Sequence, residues 1–374
     1  MSTFKGSSVK TWYVNGGDGV GGDTPADNTT SNRGEAPDNA WDTIQFAFDK
    51  VADGTVDHGD EIRIMNTGNY TIGTTLAPDW DSKEVLIIGA NAEGEVDGTQ
   101  AVLIGNVGGS SPMLNLASTK GERSMWANLH FDANDNSEHC VESTSNNHYI
   151  HWVNCRFSQA TSHGVNRTGA NYWSFVKCRF DNNAHNGLQN TSTSFGVSYD
   201  CLFDNNGQDG ADSGWRESWI RSVFYNNGTE GLVFNSSGGR VIDCVFDSNG
   251  SDGMIDEGTT NQGLRVNNIF SNNSAYGVDN GNNTDIVSFN ELFYNNGSGD
   301  FDTAQGQLAE YFNYTPGASG YNPNYLDVAN FDFTTGATFE GHGTGMPSPI
   351  RKFGSTANDP GILKWTKTES VSIF

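Results

Sequence analysis

The chain has 374 residues, ample for one elongated repeat domain, and its 20 Lys plus Arg stand against 45 Asp plus Glu for a net charge of −25. That balance argues against DNA or RNA as a partner, because phosphate contacts need clustered cations. It also disfavours unassisted binding of polyuronates, which are polyanions themselves, and it favours solubility.

No stretch approaches the apolar length of a membrane span, and the opening "MSTFKGSSVKTWYV" lacks the apolar run of a secretory signal. Next, "WYVNGGDG" predicts a strand, and "NAWDTIQFAFDKV" an amphipathic helix with Trp41, Ile44, Phe48 and Val51 on one stripe. Residues 1–56 are therefore expected to form an opening strand and a capping helix.

From Phe131 the chain repeats itself. The Phe recurs at Phe157, Phe180, Phe203, Phe224, Phe246, Phe270 and Phe293, with gaps of 26, 23, 23, 21, 22, 24 and 23 residues. The apolar alternation before each Phe has a period of two, which predicts strands rather than helices. Two places before the Phe stand Leu129, Cys155, Cys178, Cys201, Ser222, Cys244, Asn268 and Glu291. Four places before stand Ala127, Val153, Val176, Tyr199, Ile220, Ile242, Val266 and Phe289. Continuous alternation places these columns inside and the residues between them outside. After the Phe comes a polar corner, mostly Asn-Asn, suited to left-handed backbone angles. A Gly with an apolar residue follows, as in Gly187-Leu188 and Gly231-Leu232. No such coil can bury its apolar face alone, so the coils must stack into a parallel β-helix.

These C-x-F-x-N-N…G-apolar repeats, over residues 126–297, resemble the right-handed parallel β-helix superfamily, the fold of pectate lyases, polygalacturonases and phage tailspikes. The resemblance extends to "GDEIRIMNTGNYTI", which is similar to the first coil of many members, and it implies an all-β solenoid over residues 57–297. Residues 298–374 break the period. The stretch "AEYFNYTPGASGYNPNYLDVANFDF" resembles the tails that lie along the last coils in this superfamily. The position before each Phe turns from polar (His130, Arg156, Arg179) to apolar (Leu202, Val223, Val245, Ile269, Leu292). Such a stripe is expected to be covered by the tail or by a neighbouring subunit.

The Cys column reads as small buried thiols filling a narrow core, not as a metal site. In "DANDNSE", Asp132, Asn134, Asn136 and Glu138 alternate as in a calcium loop, without the Gly or the length of the helix-flanked form. No cofactor is expected otherwise.

Two constellations are candidates for chemistry. Five places before each Phe, the column of Trp126, Trp152, Phe175 and Trp219 falls outside on the assumed alternation. With Asn128, Asn154 and Lys177, then Arg156 and Arg179, alongside, it would offer a sugar platform; the alternative is ordinary packing beneath another segment. Just before each Gly stand His163, Asn186, Asp209, Glu230, Asp252 and Tyr276, with His139 before Cys140 one coil earlier. Acids on successive coils would repel one another and raise at least one pKa, or invite a cation. Adjacent coils would bring them near the ~5 Å of a retaining glycosidase, alternate coils near the ~9 Å of an inverting one. Asp212 and Glu217 are expected to join such a site, and the alternative is a solvated polar corner. "NTD" at 283–285 and "GHG" at 341–343 echo polygalacturonases, but the adjacent aspartates of that family are missing here.

The composition, rich in Asn, Gly, Ser and Thr, points outside the cell. The expected function is a phage virion-surface protein (decoration, fibre or tailspike-like), structural or glycan-binding. Other virion proteins, a surface glycan and a homotrimer are the expected partners. The alternative is a secreted polysaccharide lyase or glycoside hydrolase, and a bacterial adhesin shares the fold.

Overall fold

The computed structural model describes residues 9–16, 34–80, 83–117, 121–144, 148–169, 172–191, 195–214, 216–234, 238–257, 263–281 and 291–302, and strands at 287–289, 309–311, 325–327 and 332–335. It is an all-β parallel β-helix: each coil contributes one strand to each of three parallel sheets. The chain divides into two compact units. Of the described residues, one holds those up to Thr161 with Gly169–Trp173, the other Ser162–Thr168 and those from Ser174 on.

In the first unit, Thr11–Val14 opens the first sheet and pairs in parallel with Glu61–Met65. The helix Ile44–Ala52 is capped by the Thr43 hydroxyl, which accepts from the Phe46 N–H, and it buries Ile44, Ala47, Phe48 and Val51. Trp41 stacks on Trp12 at 5.2 Å. Phe48 meets Trp126 edge-on at 5.7 Å, so the apolar stripe of the helix packs on the first-sheet rings.

In the second unit, Gly196–Tyr199, Leu202–Asp204 and Ala211–Ser213 make a representative coil. Each strand pairs in register with its counterpart on the next coil: Ser198 with Trp219, Phe203 with Phe224, Ala211 with Leu232. Successive Phe rings therefore stack, at 4.5 Å for Phe180 and Phe203, 4.9 Å for Phe203 and Phe224, and 4.7 Å for Phe224 and Phe246. The four cysteines of the column, Cys155, Cys178, Cys201 and Cys244, are free and buried as expected, and so is Cys140.

The Asn pairs divide their labour. The first of each, at Asn182, Asn205, Asn226 and Asn272, takes a φ of 52–55°, the left-handed angle of the corner. The second turns inward. Asn206 donates from Nδ2 to Asn227 Oδ1 at 3.0 Å, Asn227 to Asn249 at 3.0 Å, and Asn249 to Asn273 at 2.9 Å. Each also donates to a Phe carbonyl of the preceding coil, as Asn227 does to Phe203 at 3.1 Å. The ladder satisfies buried backbone groups that the corner would leave without partners. The Gly that follows is there for room: a Cβ on Gly210 would lie 2.5 Å from the Gly231 carbonyl oxygen.

One expectation fails at the corner between the first and second sheets. The residue three places before each Phe (Asn128, Asn154, Lys177, Asp200, Arg221, Asp243, Asn267) has a φ of 50–58°. A single left-handed residue reverses the in–out parity, so alternation does not run through it. The column five places before the Phe therefore faces in: Trp126, Trp152, Phe175 and Trp219 are at most 1% exposed. The column four places before faces out, half-buried at Val176, Tyr199, Ile220, Ile242 and Val266.

The stripe Leu202, Val223, Val245, Ile269 and Leu292 is buried, 0–5% exposed; the tail expected to cover it lies largely outside the described residues. Parallel pairing continues beyond 297, with Gly299–Asp302 beside Tyr276–Asp279 and Ala309–Tyr311 beside Val287–Phe289. Further on, Tyr325–Asp327 and Asp332–Thr335 pair antiparallel. No described helix is long and apolar enough to cross a membrane.

Candidate functional site

Aromatic rings do reach the surface, but from another column. Eight places before the Phe, at the approach to the first-sheet strand, stand Arg123, Tyr149 and Tyr172, with φ of 59°, 59° and 58°. The left-handed backbone turns these side chains away from the core. Tyr149 and Tyr172 are 46% and 45% exposed, and their rings stack at 5.0 Å, 4° from parallel. The exposed Arg123 guanidinium lies 6.0 Å from the Tyr149 ring centre. Beside them opens a depression of about 560 Å³, lined by Gly59, Glu84, Val85, Leu86, Arg123, Met125, Tyr149 and His151. Glu84 faces His58 at 3.5 Å. Partial burial holds the His151 imidazole below its usual pKa, so it is neutral at pH 7. In the second unit the same repeat position carries Phe195, 42% exposed, with the Arg216 guanidinium 5.5 Å from its ring centre.

The sugar platform expected at Trp126, Trp152, Phe175 and Trp219 is thus corrected. These rings pack against one another and the Phe ladder, Trp126 on Trp152 at 5.3 Å and Trp219 against Phe224 at 5.6 Å. Nor are the arginines free for a ligand as expected: Arg179 donates to both oxygens of Asp204, at 2.9 and 2.8 Å. Arg156 is half-buried, level with His130 in the second sheet.

The acids divide in the same way. Asp209 and Glu230 are neighbours: Asp209 Oδ1 accepts from the Thr229 hydroxyl and from the Glu230 N–H. Burial, and then the neighbouring Glu230 carboxyl, push the Asp209 pKa up to about 7. Asp252, 6% exposed, accepts from the Tyr276 N–H at 2.6 Å, and burial raises its pKa as well. Asp212 accepts from Gln189 Nε2 at 2.6 Å. Glu217 does not join them. It is 3% exposed, in an ion pair with Arg167 and bonded by Asn190 Nδ2 at 2.9 Å and Ser213 Oγ at 3.0 Å. Asp209 therefore holds a proton near neutrality.

The loop at 132–138 closes on itself, Asp132 Oδ1 accepting from the Asn134 N–H at 2.9 Å. Among the described residues no group of three His, Cys, Asp or Glu is placed to hold a metal ion. "NTD" and "GHG" lie outside the described residues.

Tyr149, Tyr172, Phe195 and their arginines escaped the sequence reading, although the column was there to be read. Taken at coil spacing it runs Arg123, Tyr149, Tyr172, Phe195, Arg216.

No family model matches the chain, and no curated protein matches it. Among solved structures it is similar to the pectate lyase Pel9A, with a TM-score of 0.64 and 15% identity over 98% of this chain and 90% of that one. The Dettilon tailspike protein gives a TM-score of 0.55 and 12% identity over 81% of this chain and 59% of the tailspike. The A-module of the mannuronan C-5 epimerase AlgE4 of Azotobacter vinelandii gives 0.50 and 11%, over 74% and 95%. At these identities the likeness is one of fold.

Proposed function

We propose that this chain is a glycan-binding β-helix of the virion-surface or extracellular type, and that it holds saccharide on the outer face of the first sheet. The observation that carries this reading is the exposed, parallel Tyr149–Tyr172 stack beside an open depression. Half-exposed aromatic rings with polar tips beside a concave opening suit the mixed apolar and polar surface of a sugar. Support of a coarser kind comes from the similar folds, one described as a tailspike, one as a pectate lyase and one as a mannuronan epimerase. On this reading the partners are a cell-surface polysaccharide and other virion proteins, with a homotrimer as the assembly.

A second reading, a polysaccharide lyase or hydrolase, is favoured by one observation: Asp209 keeps a proton near neutral pH, as a general acid must.

The test is a panel of surface polysaccharides. Binding that weakens in Tyr149→Ala and Tyr172→Ala, with no new reducing ends or unsaturated products, is the expected result. Saturable cleavage that disappears on Asp209→Asn would replace it with the second reading.

A further inference from the structure

Seven Asn-Gly steps occur in the chain, and four of them are rungs of the inward Asn ladder: Asn206, Asn227, Asn249 and Asn296. Stacking demands the Gly, since a Cβ on Gly228 would lie 2.2 Å from the Gly207 carbonyl oxygen of the preceding coil. In a loose chain the same step is chemically unstable. The Gly nitrogen, unhindered by a side chain, attacks the side-chain carbonyl carbon of the Asn. A C–N bond forms, the Cγ–Nδ2 bond breaks, and ammonia leaves with the proton of the Gly N–H. Water then adds to the cyclic imide and opens it to Asp or to isoaspartate.

The fold holds each participant in this reaction. Gly207 donates its N–H to the Asn183 carbonyl, Gly228 to that of Asn206 and Gly250 to that of Asn227, each at 2.8 Å. Asn227 Oδ1 accepts from the N–H and the side chain of Asn206, at 3.3 and 3.0 Å. Its Nδ2 donates to the Phe203 carbonyl and to Asn249, at 3.1 and 3.0 Å. The side chain therefore does not swing onto its own Gly unless these bonds break. Asn206, Asn227 and Asn249 are also only 0–2% exposed, which keeps water away. Asn296 is different. Gly297 still donates to the Asn273 carbonyl at 2.8 Å, but it is exposed, and Asn296 itself is only half-buried. Among the described residues no rung follows Asn296, and its Nδ2 has one acceptor, the Phe270 carbonyl at 3.1 Å.

We propose that the ladder is a row of latent self-modification sites. Asn206, Asn227 and Asn249 stay intact while the coils are stacked and deamidate once the coils part, whereas Asn296 converts in the folded chain. A converted rung has lost its Nδ2 donor and carries a carboxylate that the ladder must bury; isoaspartate also lengthens the main chain at the corner. Such a chain does not restack, which makes prolonged unfolding irreversible. This holds whatever the outer face binds.

The test holds the full chain at mildly alkaline pH, folded in buffer and unfolded in urea, and follows each Asn-Gly peptide by mass spectrometry over time. In urea the four rungs are expected to convert at similar rates. In buffer Asn206, Asn227 and Asn249 are expected to convert more than about tenfold more slowly than in urea, because each event waits on local opening. Asn296 is expected to convert in buffer at least about tenfold faster than Asn227. Conversion of Asn227 in buffer at a rate close to its urea rate would overturn the shielding, and an Asn296 no faster than Asn227 would overturn its assignment as the reactive rung. Asn296→Ser should remove most of the ammonia released by folded protein; undiminished release would place the reaction elsewhere. On dilution from urea, converted Asn227 is expected only in the fraction that fails to regain the native elution volume. Converted rungs spread equally through the refolded and unrefolded fractions would overturn the irreversibility.

Discussion

Asp209 and Glu230 stand one coil apart, and Asp209 Oδ1 accepts from the Glu230 N–H at 3.2 Å, with the Glu230 carboxyl near enough to raise the Asp209 pKa. Burial is the larger cause of the raised Asp209 pKa, about 7 against an ordinary 3.8. The folded chain therefore keeps a proton that the unfolded chain has already lost. The stabilisation is complete below pH ~4 and is lost as the pH rises through ~7. Glu291, fully buried and raised to about 8, acts with the same sign. Thermal stability is expected to fall between pH 5 and 8. Asp209→Asn should flatten that slope by about 2 kcal/mol, allowing for partial solvent screening. Melting curves of both proteins across this range are the check, and an unchanged slope in the variant would refute the retained proton.

Phe180 lies between the Phe203 ring at 4.5 Å and the Phe175 ring at 5.2 Å and is fully buried. Phe180→Ala is expected to cost about 3–5 kcal/mol in denaturant unfolding. A near-neutral result would show that the ladder closes over the gap.

Asn227 accepts from the backbone N–H and the side chain of Asn206, and it donates to Asn249 and to the Phe203 carbonyl. Asn227→Ala strands all these buried groups at once, for an expected loss of about 2–4 kcal/mol. Asn226→Ala, at the exposed corner, should cost under about 1 kcal/mol. Equilibrium unfolding of the two variants separates ladder from corner.

Trp152 and Tyr149 stand three residues apart with opposite fates. Trp152→Ala, which empties a site against Trp126, Phe131 and Phe157, should lower stability by about 3–5 kcal/mol and leave the glycan affinity of folded protein unchanged. Tyr149→Ala should leave stability nearly unchanged and weaken glycan binding about three- to tenfold. Reversed effects would return the binding face to the tryptophan column.

The solenoid was legible because its determinants are periodic: the Phe recurs on every coil, and the Asn corner and the thiols recur at fixed offsets from it. The binding face was not, because a single backbone angle decides which column it uses. Asn128, Asn154, Asp200, Asp243 and Asn267 did carry a signal, being of the residue types that tolerate left-handed angles. Lys177 and Arg221, at the same position, obscured it. The Asp209–Glu230 contact was foreseeable as crowding. Whether Glu217 pointed out or in depended on Arg167, 50 residues away, a pairing no local pattern reveals.

The coil has two gauged corners and one slack one. From Phe180 to Phe270, the ladder Asn or its equivalent follows each Phe by three residues and the Gly by seven, without variation. The distance from that Gly to the next Phe is 16, 14, 15, 17 and 16 residues. Every change in coil length is thus absorbed on the approach to the first sheet, the side on which Tyr149, Tyr172 and Phe195 stand. Lengthening or replacing the chain there leaves ladder, ring stack and thiol column in step, whereas one residue added between Phe and Gly throws them out of step. The frame is inherited whole and the recognition surface can be rewritten coil by coil.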